Sequence, residues 1–284
     1  MALSAGCGAD ADAPSVRLAG MVMAGQLDEI SGIAASRRHG DVLWAINDGG
    51  NTPHLHAVSR LGRRITSIRV DEVPNTDWED LAAFELGGRP YLMIADTGDN
   101  GGLRKTLQLH VIAEPDTLQA GNVRPAWSIV FRWPDGARDC EAVAVDAERG
   151  LVLLVTKKRQ PAELYALPLR PSDPRMILTA RFLAHLQPPE GQAADASIGG
   201  VPAHQITAAD VSPDGSRLAL LSYESILIHP RHPATGWTQA AGNRPRRIPI
   251  PLVPQAEALA WSAKGGGLYV TGEFHPAPIF HIIP

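Results

Sequence analysis

The sequence predicts one all-β domain, a five-bladed β-propeller over residues 15–284, preceded by a flexible segment at residues 1–14. Three observations lead to this fold: a short segment that occurs five times, apolar strand patterns after each copy, and a strand-like run before the first copy. A propeller blade is a four-stranded antiparallel sheet, so a repeat of this length with four strand patterns is typical of the fold. Two separate domains would leave the common register of the five copies unexplained.

The repeated segment opens with a carboxylate or a hydroxyl and continues with small and apolar residues. Its copies begin 48, 62, 66 and 50 residues apart, which fits blades joined by loops of variable length. A turn that contains glycine follows each copy, and glycine supplies the positive φ that tight hairpins require. The five copies occupy residues 31–36, 79–84, 141–146, 207–212 and 257–262.

The remaining strands of each blade are predicted from apolar runs after these turns. Second strands are expected at residues 42–46, 91–95, 151–155, 218–221 and 268–271, and third strands at 55–58, 107–112, 163–167, 226–228 and 279–283. Fourth strands are expected at 65–70, 127–133, 176–183 and 247–252. The fifth copy lacks a fourth strand, and residues 16–22 can supply it. Pairing of this N-terminal strand with the last blade would close the ring and remove an open sheet edge.

Composition excludes several functional classes. Lysine and arginine number 26 against 30 aspartate and glutamate residues, so a nucleic-acid-binding surface is not expected. No apolar run approaches the ~18 residues of a membrane span. Residues 3–7 end at Cys7 and resemble the end of a bacterial lipoprotein signal, which would make the protein exported and Cys7 lipid-anchored. Only six residues precede Cys7, so either the signal is trimmed or the match is accidental.

The first strand of a propeller blade lines the central channel, so the opening residues of the five copies should face one another. Three crowded carboxylates would raise one another's pKa unless a cation neutralises them. Calcium takes about six to eight oxygen ligands, whereas zinc prefers His or Cys. The predicted calcium ligands are Ser31, Glu79, Glu141, Thr207 and Glu257. A water-filled channel with partly protonated glutamates is the alternative, and Glu29 points the same way along its strand as Ser31.

A second group of polar residues follows the second strands and should cluster at one mouth of the channel. Asp48, Asp96, Lys158 and Glu224 come seventeen residues after the opening positions, and Glu273 comes sixteen after. Asp48, Asp96 or Asp99 could act as a general base. Basic residues of one blade could hold an anion such as a phosphate. The predicted ligand-binding residues are Asn47, Asn100, Lys157, Lys158, Arg159, Tyr223, Glu224 and Glu273.

These motifs resemble those of the calcium-activated nucleotidases, the apyrases with a five-bladed propeller. In that family an axial calcium is held by hydroxyl and glutamate side chains in the order found here, and a basic pair follows the second strand of the third blade, as Lys157 and Lys158 do. Residues 95–100 depart from that family. The runs at residues 43–48, 77–80 and 96–100 are closer to a group of exported bacterial propeller proteins without an established activity.

The resemblance and the two polar groups together lead to one main expectation and two alternatives. The main expectation is a calcium-dependent hydrolase of phosphate esters or anhydrides, with nucleotides as the first substrates to try. The first alternative is a non-catalytic propeller that binds a ligand or a protein and carries a structural calcium. The second is a calcium-dependent lactonase or esterase.

Overall fold

The computed structural model describes residues 13–191, 196–198 and 200–284 and shows a five-bladed β-propeller, as predicted. The predicted flexible segment lies almost entirely outside these residues, and so does Cys7.

Each blade is an antiparallel sheet whose first strand lies next to the propeller axis. In chain order, β1 (Ser15–Val22) precedes blade one, which contains β2 (Ile30–Ala35), β3 (Val42–Asn47), β4 (His54–Ser59) and β5 (Arg64–Val70). Blade two contains β6 (Trp78–Leu86), β7 (Arg89–Asp96), β8 (Leu107–Ala113) and, after the short β9 (Gly121–Val123), β10 (Trp127–Arg132). Blade three contains β11 (Ala142–Asp146), β12 (Leu151–Val155), β13 (Glu163–Pro168) and, after β14 (Ile177–Thr179), β15 (Arg181–His185). After a hairpin of β16 (Ser197–Ile198) and β17 (Val201–Pro202), blade four contains β18 (Ile206–Val211), β19 (Arg217–Ser222), β20 (Ser225–Pro230) and β21 (Arg246–Pro249). Blade five contains β22 (Ala256–Trp261), β23 (Leu268–Gly272) and β24 (Ala277–Ile283).

The ring closes as the sequence predicts. Strand β1 pairs antiparallel with β24, from Ser15 opposite Ile283 to Val22 opposite Ala277, and so becomes the outer strand of blade five. The five first strands contact one another in the order β2, β6, β11, β18, β22 and back to β2. Every blade therefore has two neighbours.

Apolar side chains fill each of the five interfaces between neighbouring blades. The largest of them are tryptophans: Trp44 and Trp78 pack between blades one and two, and Trp261 packs between blades four and five. All three are fully buried. Since burial of apolar surface is the main favourable term in folding, these interfaces hold the blades at fixed angles and so fix the geometry at the axis.

The fourth strand predicted at residues 176–183 is wrong as a single element. The chain breaks at Ala180, whose N–H donates to Arg132 O. The first part, β14, pairs in parallel with β10 of blade two, while the second part, β15, completes blade three. In the same way β9 adds a parallel fifth strand to β5 of blade one. The alternation of apolar residues gave no sign of these exchanges between blades.

Helix is almost absent from the described part of the chain, where one short helix, α1 (Trp237–Gly242), lies against β15 and β20. No helix among the described residues is long and apolar enough to cross a membrane.

Candidate functional site at the channel mouth

The opening residue of each repeat reaches the axis through an irregularity of the first strand. In β2, β6, β18 and β22 the pairing with the second strand shifts register at Ser31, Glu79, Thr207 and Glu257, respectively. In blade three, β11 begins directly after Glu141. A bulge leaves one residue unpaired and re-aims its side chain, and in the other four blades it does so at the same level.

The five opening residues do not all take part in one set of contacts. The carboxylates of Glu79 and Glu141 approach each other within 4.8 Å. The two hydroxyls instead tie neighbouring blades together: Ser31 Oγ donates to Trp78 O at 2.7 Å, and Thr207 Oγ1 donates to Ala256 O at 2.6 Å. Among the residues described, neither hydroxyl hydrogen-bonds to a carboxylate of the ring.

Asp80, the residue after Glu79, links three blades across the channel. Its Oδ1 accepts the N–H of Leu81 at 2.8 Å, and its Oδ2 accepts the N–H groups of Val143 at 2.8 Å and Ala209 at 3.1 Å. The side chain is fully buried, and burial raises the pKa of its carboxyl well above the usual value. The equivalent position in blade one is Gly32, where a Cβ would lie 2.7 Å from Leu81 N. The first strands therefore approach closely here.

Two carboxylates at the mouth, Asp77 and Asp139, are not among the site residues predicted from the sequence. Each lies two residues before the opening residue of its blade, the position at which Glu29 stands in blade one. A repeat at this position was visible in the sequence, because Gln205 and Gln255 complete the set with side-chain oxygens. Glu29 itself is exposed and accepts a hydrogen bond from Asn51, and it belongs to neither group of carboxylates whose ligand atoms lie within 4.8 Å of one another.

Seven carboxylates meet at this mouth, and we call them the mouth cluster. Two trios have ligand atoms within 4.8 Å of one another: Asp48, Asp77 and Glu79 form one, and Glu79, Asp139 and Glu141 form the other. Glu257 and Glu273 complete the cluster on the side of blade five. Glu273 lies within hydrogen-bonding reach of Glu257 and Asp48, and burial followed by the charge of Glu257 raises its pKa to about 9.

The structure corrects the register of the second polar group. A backbone hydrogen bond at the end of the second strand identifies equivalent residues in different blades. The N–H of the equivalent residue donates to the carbonyl of the residue two positions before the opening residue. By this rule the equivalent residues are Asp48, Thr97, Lys157 and Glu273, and Tyr223 matches them because it follows Ser222, the pairing partner of Ile206. Asp96 comes one residue before this level, and Lys158 and Glu224 come one residue after it. Bulges and loops of different length make a constant sequence offset unreliable.

Two of the three predicted general bases are held by structural contacts. Asp96 is buried and forms an ion pair with Arg104 at 2.6 Å. Asp99 accepts the backbone N–H groups of Leu103 at 2.7 Å and Arg104 at 3.1 Å, so it holds the loop that follows β7. Asp48, the third, lies in the first trio of the mouth cluster.

Lysines neutralise one side of the cluster. Lys157 Nζ forms an ion pair with Glu141 Oε2 and lies 3.8 Å from Glu257 Oε1. Lys158 Nζ lies 2.8 Å from Asp139 Oδ2 and donates to Asn100 Oδ1 at 2.6 Å.

The other predicted ligand-binding residues have different surroundings. Tyr223 donates its hydroxyl to Glu257 Oε1 at 2.7 Å, and Glu224 pairs with Arg247 at 3.1 Å, away from the cluster. The buried Asn47 donates to Gln26 O. Arg159 is exposed and forms no ion pair within the described residues.

Burial and mutual repulsion shift the pKa values of the first trio upward. Burial raises the pKa of Glu79 well above its usual value, and the charge of Glu141 adds to the shift. Burial also raises the pKa of Asp77 to about 6, with Asp48 as the next cause. Groups crowded in this way are stabilised by an external cation.

Comparisons with known proteins give the fold and no family: no family model and no curated protein matches the chain. Among solved structures, the chain is similar to the major allergen Mala s 1 of Malassezia sympodialis, with a TM-score of 0.56 and 11% sequence identity. The likeness covers 92% of this chain and 95% of that chain. At this identity it supports the propeller fold alone.

Proposed function

We propose that this propeller binds a calcium ion at the mouth of its channel and hydrolyses phosphate esters or anhydrides there. The observation that carries the proposal is the environment of the Glu79 carboxylate. Its side chain is 7% exposed and has no hydrogen-bond or ion-pair partner among the described residues, yet it belongs to both carboxylate trios. A buried carboxylate without a partner is costly, and a bound cation removes that cost.

The residues at the mouth fit calcium better than other metals. Both trios consist only of carboxylates, and hard oxygen ligands of this kind suit calcium and magnesium rather than zinc. The backbone leaves room for the carboxylates to converge, because a Cβ on Gly98 would lie 2.1 Å from Glu79 Oε1 and 2.4 Å from Asp77 Oδ2. Irregular clusters of several carboxylates favour calcium over magnesium, which demands near-ideal octahedral geometry.

The bound ion would neutralise and polarise a phosphate group as a Lewis acid. The chain's own residues would bind and orient the rest of the anion. Arg159 and Lys158 are exposed beside the mouth, and both carry positive charge that a phosphate can pair with. Asp80 and Gly32 hold the first strands close together beneath the cluster, so a substrate would approach the cluster from the mouth.

The resemblance to calcium-activated nucleotidases supports nucleotides as the first substrates to test. It rests on the order of hydroxyl and glutamate residues around the axis and on Lys157 and Lys158 after the second strand of blade three.

A second function, a non-catalytic propeller with a structural calcium, is favoured by one specific observation. Asp96 and Asp99, both expected as general bases, are engaged by Arg104 and by backbone N–H groups, so neither is free to accept a proton from water. If no other base acts, the mouth would bind an anionic ligand without converting it.

The test is phosphate release from nucleoside di- and triphosphates, measured in calcium and in chelator. We expect release that requires calcium, that is lost in Glu79→Gln and that persists in Glu85→Gln, a matched control on the exposed part of the same strand. Equal release in chelator would contradict the proposal. A rise of the melting temperature in calcium without any release would select the binding propeller, and calcium-dependent hydrolysis of lactones instead of phosphates would select the lactonase.

A further inference from the structure

The mouth cluster divides into two halves according to whether a positive side chain lies beside the carboxylates. On the side of blades three and five, each carboxylate has a cationic or neutral partner. On the side of blades one and two, no carboxylate of the cluster forms an ion pair with a Lys, Arg or His of the described residues. This difference indicates where a cation binds.

The first half is already neutralised by the chain. Lys157 pairs with Glu141 and lies near Glu257, and Lys158 pairs with Asp139. Glu257 also accepts the hydroxyl of Tyr223. An ion on the propeller axis, bound by the five opening residues, would have to displace the ammonium group of Lys157 from Glu141.

The second half comprises Asp48, Asp77 and Glu79. No Lys, Arg or His of the described chain forms an ion pair with any of the three. Glu79 is buried and has no hydrogen-bond or ion-pair partner among the described residues, although its carboxylate lies with those of Asp48 and Asp77 within 4.8 Å. Three carboxylates at this spacing, without an ion-pair partner among the described residues, match the demand of a divalent cation for charged oxygen ligands.

Two glycines form the walls of this half. A Cβ on Gly49 would lie 2.5 Å from Asp77 Oδ1, and a Cβ on Gly98 would lie 2.1 Å from Glu79 Oε1. The backbone of the loops after β3 and β7 therefore lies directly against the two carboxylates. Any larger residue would push the oxygens out of their common position.

We propose that the calcium ion lies off the propeller axis, between blades one and two, with Asp48, Asp77 and Glu79 as its protein ligands. This inference rests on the proposed function, because it locates the cation that function requires. In the other half of the cluster, the ammonium groups of Lys157 and Lys158 neutralise the carboxylates in place of a metal ion. The hydroxyls of Ser31 and Thr207 serve the contacts between blades and are not ligands.

The experiment is calorimetric titration of calcium into chelator-treated protein, for the wild type and a panel of isosteric variants. Asp48→Asn and Asp77→Asn test the off-axis site, and Glu257→Gln tests the axial ring. Loss of one charged ligand should weaken calcium binding about 10-fold or more in the first two variants. Glu257→Gln removes only a charge that acts on Asp48 from nearby, so it should weaken binding clearly less than either of them. The melting temperature of each variant in chelator shows that it folds.

The outcomes separate this inference from the proposed function. Calcium binding that is lost in Glu257→Gln and retained in Asp48→Asn and Asp77→Asn would overturn the off-axis site and leave calcium binding at the mouth intact. A wild type without any calcium binding would overturn both. If Asp77→Asn fails to fold, Asp48→Asn alone decides, because Asp48 and Glu257 belong to different halves of the cluster.

Discussion

Gly98→Ala is the substitution that most cleanly separates cation binding from folding. The new Cβ would lie 2.1 Å from Glu79 Oε1 and 2.4 Å from Asp77 Oδ2, whereas real Cβ contacts stay beyond 3.0 Å. The Glu79 carboxylate must therefore move by about 1 Å. Calcium–oxygen bonds span only about 2.3–2.6 Å, so a shift of this size removes at least one ligand from the first trio.

The same substitution should leave the stability of the metal-free protein nearly unchanged. Gly98 does not have a positive φ, so alanine fits its backbone conformation. The atoms that must move belong to the Glu79 and Asp77 side chains, including Asp77 Cγ at 2.5 Å, and their displacement costs free energy. Against this cost stands the gain of about 0.4–1 kcal/mol by which glycine to alanine stabilises a protein through the unfolded state. These opposing effects should keep the free energy of unfolding in chelator within about 1 kcal/mol of the wild type.

The assay pairs calcium titration by calorimetry with urea unfolding in chelator. Gly98→Ala should weaken calcium binding by about 10-fold or more. The matched control is Gly101→Ala on the same loop, where the nearest atoms to a Cβ are side-chain carbons of Leu103 at 3.4 Å. An unchanged Kd in Gly98→Ala, with both variants folded, would refute the assignment of Asp77 and Glu79 as ligands.

Three further predictions concern the carboxylates that hold the propeller together. Asp80→Ala leaves three backbone N–H groups without their acceptor, and at about 1–3 kcal/mol for each buried donor it should lower the free energy of unfolding by several kcal/mol in urea titrations; a loss below about 1 kcal/mol would contradict this role. Burial raises the pKa of Asp210 to about 7, so the native state holds a proton that the unfolded chain releases near pH 4, and stability should fall as the pH rises from 4 to 7. Asp210→Asn can still accept the N–H that Asp210 Oδ2 accepts. Between pH 4.5 and 8 the free energy of unfolding of this variant should therefore rise by up to about 4 kcal/mol relative to that of the wild type. Parallel pH profiles of the two proteins would argue against a protonated Asp210. Asp99→Ala removes two loop hydrogen bonds and should destabilise the protein by about 1–3 kcal/mol; unchanged stability with loss of turnover would restore Asp99 as a general base.

The propeller could be predicted from sequence because its signals are local and repeated. Period-two apolar strands and glycine turns are each contained within a single blade, and the same register recurs five times. The N-terminal strand is left over, and the last blade is the one that lacks a predicted fourth strand. The prediction of one fourth strand at residues 176–183 is wrong because β14 pairs with β10 of the neighbouring blade. Pairing between strands of different blades depends on how the blades pack, and the apolar pattern of one blade carries no information about that packing.

The candidate site was predicted in outline and misjudged in detail. The opening position of the repeat predicted Glu79 and Glu141 as site residues. The polar position two residues earlier also recurs and contains Asp77 and Asp139, but only Glu29 was considered there. Ion pairs are harder still to foresee. The contact of Lys157 with Glu141 depends on how far the two side chains reach across the mouth. Asp96, which was expected as a general base, forms an ion pair with Arg104.

The central claim, a calcium ion at the channel mouth, is tested most directly by calorimetric titration of calcium into chelator-treated wild-type protein, followed by thermal unfolding of the same sample. We predict one saturable site that Glu79→Gln weakens about 10-fold or more, and stabilisation of about 2.7 kcal/mol when calcium is present at 100 times its Kd. Absence of both binding heat and thermal stabilisation would contradict the claim.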